Sequence, residues 1–134
     1  MIVDASVVVA GVLADQCHDG WALEVLLRGR LAAPHLMPAE VTQKLRRDVI
    51  RGSVTAGDAD AAMDELARLP IDLYPFEPVA QRVWELRDTV SAYDGWYVAL
   101  AEALDVPLAT LDTRLAKAAG PRCAFLVPDV GGVA

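Results

Sequence analysis

Cysteine is nearly absent from this chain of 134 residues. The two present, Cys17 and Cys123, lie far apart and form no C-x-x-C pattern. That argues against a disulfide framework and a thiolate zinc site, leaving two buried reduced thiols as the expectation. Histidine is equally scarce. His18 and His35 have no metal-ligand spacing and read as surface or cap residues. Basic residues are few, 12 Lys and Arg against 19 Asp and Glu, for a formal charge of −7. This argues against a broad, non-specific nucleic-acid binder, because phosphate contacts rely on Lys and Arg. It leaves room for an enzyme with a small basic rim around an acidic centre. No apolar run is long enough to span a bilayer. The opening run "MIVDASVVVAG" lacks the basic segment of a signal peptide, and Asp4 breaks it where the apolar stretch should begin. The chain reads as soluble and cytoplasmic. With no repeat, low-complexity tract or long linker, residues 1–134 read as one domain.

What is present is a large apolar share, 54% of the residues, arranged in short alternating segments. Strands are expected at 1–4, 31–34, 71–76, 107–110 and 123–127. Helices are expected at 6–14, 18–29, 38–51, 55–68, 77–90, 92–104 and 112–119. Trp21, Val25 and Leu26 should face inward from the second helix. Val79, Val83, Leu86 and Val90 fall on one helical stripe, and Tyr93, Trp96, Tyr97, Leu100 and Leu104 on another. Short apolar strands separated by helices predict an α/β fold. Its central sheet has about five short, mostly parallel strands, with helices on both faces. Such a sheet places its functional cleft at the carboxyl ends of the strands.

Four carboxylates fall where they can converge on that edge. Asp4 ends the first strand, Glu40 opens the helix after the second, Asp94 opens the helix at 92–104, and Asp112 follows "PLAT". Four acids converging there repel one another without cations. Such a cluster reads as a Mg²⁺ or Mn²⁺ site, since hard cations prefer oxygen ligands. Each acid also has a structural reading. Asp4 and Asp112 can cap helices. Glu40 can favour a helix dipole or pair with Lys44. Ser91-Ala92-Tyr93-Asp94 matches a capping box.

The wording around these acids is specific. "MIVDAS", "APHLMPAEV", "SAYDGWYVALAEAL" and "PLATLD" closely resemble the PIN-domain ribonucleases. The nearest subgroup is VapC, the toxin half of VapBC toxin–antitoxin pairs. The resemblance covers nearly the whole chain, in order. It implies a PIN-like three-layer fold and makes Asp4, Glu40, Asp94 and Asp112 the catalytic and metal-binding quartet. It places Thr110 two residues before the last acid and Ser6 beside the first. Both hydroxyls are candidates to orient acids by hydrogen bonds, or equally to make local turn and cap contacts. Gly95 stands where the family more often has alanine.

The resemblance implies a Mg²⁺- or Mn²⁺-dependent endoribonuclease toxin that cuts cellular RNA, usually transfer or ribosomal RNA, and so inhibits translation. It also implies a homodimer and a cognate VapB-type antitoxin that brings a basic arm to the acids, to which a charge of −7 is suited. Lys44, Arg47 and Arg51 share a helical stripe with Glu40, so they can form a track for RNA or a solvated helix face. Arg114 and Lys117 are weaker candidates. The tryptophans and Tyr97 read as core. A receiver domain would need paired acids after its first strand, and an adhesion-type D-x-S-x-S motif fails at Val8. The stronger rival is a catalytically silent module of the same fold that acts by binding.

Overall fold

The computed structural model describes residues 1–13 and 20–129. Cys17, His18 and the start of the helix expected at 18–29 lie outside them. The elements run β1 (Ile2–Val3), α1 (Ala5–Val12), α2 (Gly20–Leu26), β2 (Leu31–Pro34), α3 (Met37–Arg51), α4 (Ala56–Arg68), β3 (Ile71–Tyr74), a 3₁₀ turn (Glu77–Val79), α5 (Ala80–Glu85), α6 (Ala92–Leu104), β4 (Leu108–Ala109), α7 (Thr113–Ala116) and β5 (Phe125–Leu126).

All five strands are parallel, in the order β3-β2-β1-β4-β5. The register sets Ile2 beside both Ala32 and Leu108, and Val3 beside Ala109. β1 is central, with Ile2 and Val3 fully buried. This is why the strand carries no polar residue until it ends at Asp4. The chain builds the sheet outward from β1 through β2 to β3, then returns to the other side of β1 for β4 and β5. The reversal falls between β1 and β4, the topological switch point where α/β sheets form binding crevices.

The sheet is flanked by helices. α1 packs against α2, α3 and α4, while α6 lies against β1, β2 and β4. Gly11 permits the close approach of α1 to α2, because a Cβ there would run into the Leu26 side chain. α3 closes on Gly52, whose positive φ of 80° suits a residue without a Cβ. Thr55 and Ser91 cap α4 and α6 by accepting the amide N–H of Asp58 and Asp94, each at 3.1 Å.

Several expected elements are shorter than their apolar patterns. The helix expected at 77–90 is a 3₁₀ turn and a six-residue helix followed by turns. Val79, Val83, Leu86 and Val90 are nonetheless all buried, since successive turns keep a similar rotation. β5 retains two of its five expected residues, and α7 four of eight. On α6 the expected stripe is corrected at both ends: Tyr93 is 63% exposed and Leu104 39%, while Tyr97 and Leu100 are buried. The helix instead buries Gly95 and the continuous run Tyr97–Ala101, because its middle is enclosed on several sides. Leu26 and Val25 face the core and Trp21 is half-buried, as expected. Cys123 is half-buried, and burial pushes its thiol up to about 11.

Candidate active site

Asp4 is delivered by β1. Its amide N–H donates to the Ala109 carbonyl at 3.0 Å, which ties the end of β1 to β4. The carboxylate is 8% exposed and occupies the N-cap position of α1, yet it makes no side-chain cap bond. Its Oδ2 instead accepts two hydroxyls, Ser6 Oγ at 2.9 Å and Thr110 Oγ1 at 2.7 Å. Ser6 Oγ also accepts the Leu111 amide N–H at 3.2 Å, and Thr110 Oγ1 accepts that of Asp112 at 3.0 Å. The two hydroxyls therefore lock the ends of β1 and β4 together and fix one oxygen of Asp4. Oδ1 has no hydrogen-bond partner among the described residues.

Glu40 sits in the first turn of α3 and does not pair with Lys44. Lys44 reaches forward to Asp48 at 3.2 Å, and Glu40 Oε1 accepts the Tyr97 hydroxyl at 2.6 Å. Tyr97 is core, as expected, with its ring fully buried. Its contact with an acid was missed. The signal was available: Tyr97 lies one helical turn after Asp94, and a buried tyrosine hydroxyl usually finds a partner.

Asp94 is the third residue of α6. Asp112 is the N-cap of α7, and its Oδ1 accepts the amide N–H groups of Arg114 and Leu115 at 3.0 and 3.2 Å. The capping expected of Asp112 is present.

The four acids share one electrostatic field. Burial raises Glu40 above its ordinary value; the Tyr97 hydrogen bond opposes this, and repulsion from Asp4 and Asp94 adds to it. Burial also raises Asp94, reinforced by Asp4 and Asp112 and opposed by Ser91 and Arg114. Burial, then Glu40, holds the Tyr97 hydroxyl far above tyrosine's usual range, so it stays a donor.

A cleft of about 1000 Å³ opens over this edge. Asp4, Ser6, Glu40 and Asp112 line it beside Lys44, Arg47 and an apolar wall of Val9, Leu13, Leu36 and Val54. Asp94 lines an adjoining recess with Ser91, Arg114 and Asp112, so Asp112 borders both spaces. Arg51 and Lys117 line neither space. Arg51 closes α3 at its far end.

Among the described residues, no three His, Cys, Asp or Glu side chains stand close enough to form a metal cage by themselves. The donor set still suits a hard cation. Mg²⁺ commonly takes one or two carboxylates and keeps several waters. Here unpaired carboxylate oxygens face an open cleft, and their mutual repulsion is what a cation would relieve.

A family model described as "PIN domain" matches residues 1–121. Ribonuclease VapC1 of Mycobacterium tuberculosis is 44% identical over 126 residues, covering 90% of this chain and 95% of that protein. Ribonuclease VapC9 of the same organism is 39% identical over 127 residues, covering 95% and 97%. Among solved structures, VapBC2 from Rickettsia felis, bound to a DNA fragment from its promoter, aligns with a TM-score of 0.68 at 14% identity, covering 96% of this chain and 98% of that one. VapBC-5 from M. tuberculosis aligns with a TM-score of 0.58 at 22% identity, covering 96% and 97%. At those identities the structural likeness concerns the fold.

Proposed function

This chain belongs to the PIN-domain family, among the VapC ribonucleases, and from that premise we propose a metal-dependent endoribonuclease toxin built on Asp4, Glu40, Asp94 and Asp112. The observation that carries the site assignment is the placement of the four acids on two adjoining recesses at the switch point, with Asp112 bordering both.

Asp4 and Asp94 would be the direct ligands for Mg²⁺ or Mn²⁺, Glu40 would join them directly or through water, and Asp112 would add charge at the border of the two recesses. A divalent cation held there would supply Lewis acidity and positive charge for phosphodiester hydrolysis. The chain's own residues supply the geometry. Ser6 and Thr110 hold Asp4 by Oδ2 and leave Oδ1 without a partner among the described residues. Arg47 and Lys44 line the cleft wall and Arg114 lies beside Asp94, and these cations would meet the RNA backbone.

The RNA is a transfer or ribosomal RNA. A VapB-type antitoxin carrying a basic arm neutralises the enzyme, since a guanidinium can stand in for a cation at a carboxylate cluster. The toxin is a homodimer.

The test is incubation of the purified chain, free of partner, with structured RNAs and Mg²⁺ or Mn²⁺. Cleavage should appear and should fall roughly 100-fold or more in Asp4→Asn and Asp94→Asn. Cleavage that survives both substitutions overturns the site. Intact binding of RNA or antitoxin without cleavage by the wild type favours a silent binding module instead.

A further inference from the structure

The acids at this edge are not held alike. Asp4 is fixed by two small hydroxyls supplied by its own turn and by the end of β4. Glu40 is fixed by a single group from the far side of the sheet's edge. The Tyr97 hydroxyl donates to Oε1 at 2.6 Å across 57 residues of sequence. Glu40 is on α3, whereas Tyr97 is on α6, the helix that carries Asp94. Among the described residues, Oε2 of Glu40 has no hydrogen-bond partner, and Lys44, the neighbour one turn on, is turned away towards Asp48.

A glutamate has three side-chain torsions and, on an exposed helix turn, samples many rotamers. Here one of its oxygens is pinned by a donor that cannot move, because the Tyr97 ring is fully buried in the core. Pinning Oε1 leaves Oε2 as the oxygen that can reach the cleft. It also sets the position of Glu40 relative to Asp94, one turn before Tyr97 on the same helix.

We propose that Tyr97 is a positioning residue, whose hydroxyl holds Glu40 on the cleft wall beside Asp4, where its free oxygen would meet, directly or through water, a divalent cation held by Asp4 and Asp94. This rests on the metal-site reading above and adds the residue that fixes its glutamate. Groups that hydrogen-bond a metal-ligating side chain typically influence metal affinity by about 10–100-fold.

The experiment uses the full chain and Mn²⁺ alone, without RNA. Mn²⁺ binding is followed by titration calorimetry and by loss of the free-ion paramagnetic resonance signal. Tyr97→Phe keeps the ring and removes only the hydroxyl. It should weaken Mn²⁺ binding by about 10-fold or more, with RNA cleavage largely restored at high Mn²⁺. In a Glu40→Gln background the same substitution should add almost nothing, because Tyr97 acts through that carboxylate. Glu40→Asp, which shortens the carboxylate out of reach of the hydroxyl while leaving Tyr97 in place, should reproduce the loss. Unchanged Mn²⁺ affinity in Tyr97→Phe overturns the proposal. So does an equal loss with and without Glu40, which would mark a merely structural role. Wild-type protein that binds no Mn²⁺, or binds it undiminished in Asp4→Asn and Asp94→Asn, overturns the metal-site reading itself, and this inference falls with it.

Discussion

Asp94 and Glu40 are held in a state that costs the metal-free protein stability. Both have folded-state pKa values above the unfolded ones of 3.8 and 4.5. A carboxylate raised in this way binds more protons folded than unfolded. Stability therefore falls as pH rises through the unfolded value and onward through the folded one, and the full penalty applies above it. Asp94→Asn removes a charge from the cluster. Without metal, this variant should melt above the wild type at neutral pH, by a few degrees at most because these carboxylates remain partly in water. The advantage should vanish once pH falls below about 4, where the wild-type acid is itself neutral. Melting curves followed by circular dichroism at the two pH values, in chelator, check this. An equal difference at both would show that repulsion is not its source. Individual acids were legible in the sequence: Asp4 breaks an apolar run, and Glu40, Asp94 and Asp112 fall after strands or at helix starts. Of the partners that orient them, the resemblance named Ser6 and Thr110 as candidates, and both hold Asp4, whereas Tyr97 was read only as core. Thr110 lies 106 residues from Asp4 and Tyr97 57 from Glu40, and no local pattern records which hydroxyl meets which oxygen.

Short elements are held in place by a few non-local ties. α5 has six residues, too few to be stable alone, and Arg82 anchors it. Its guanidinium donates to both oxygens of Glu102 on α6, at 2.7 and 3.2 Å, and to the Gly120 carbonyl at 2.8 Å. Glu102 Oε2 also accepts the Arg122 amide N–H at 2.8 Å. Burial alone would raise Glu102, but Arg82 and that amide outweigh it and hold the carboxyl below its ordinary value. The clip therefore contributes fully above the unfolded value of 4.5 and is lost as pH falls through the lower folded value. Arg82→Met keeps the aliphatic stem and should cost about 2 kcal/mol at neutral pH, read from urea unfolding, with a smaller loss in acid. The same helix pair explains Gly95. A Cβ there would lie 3.3 Å from Val83 Cγ1, so α5 packs tightly where the family's more usual alanine would press on it. Hydrophobic spacing located these elements but overestimated their length. The pattern records burial, and turns after α5 bury Leu86 and Val90 as a helix would.

Taken whole, the molecule is an acid of charge −7 that, under the RNA-cleaving reading, has to gather a polyanion. Its few cations matter by position, and α3 sorts them. Lys44 is paired with Asp48, whereas Arg47 lines the cleft with no ion pair among the described residues. Under the RNA-cleaving reading, Arg47→Ala should weaken binding of single-stranded RNA in a cleavage-dead Asp94→Asn background and lower the salt slope by about 1. Lys44→Ala should do less. Fluorescence anisotropy across a salt series measures both, and equal effects would place RNA along the whole stripe.

The sequence by itself determined the α/β alternation, the buried central strands, the four acids and their place after strands or at helix starts, because these follow from periodicity and from the cost of a charge in an apolar run. Only the tertiary structure decided that β1 and β4 are neighbours and that the chain reverses direction between them. It also decided that Tyr97 reaches Glu40, that Asp48 takes Lys44, and that Arg51 lies away from the cleft. Strand order and cross-sheet contacts arise from how the helices pack over the sheet as a unit, and that energy is shared among residues far apart in the chain.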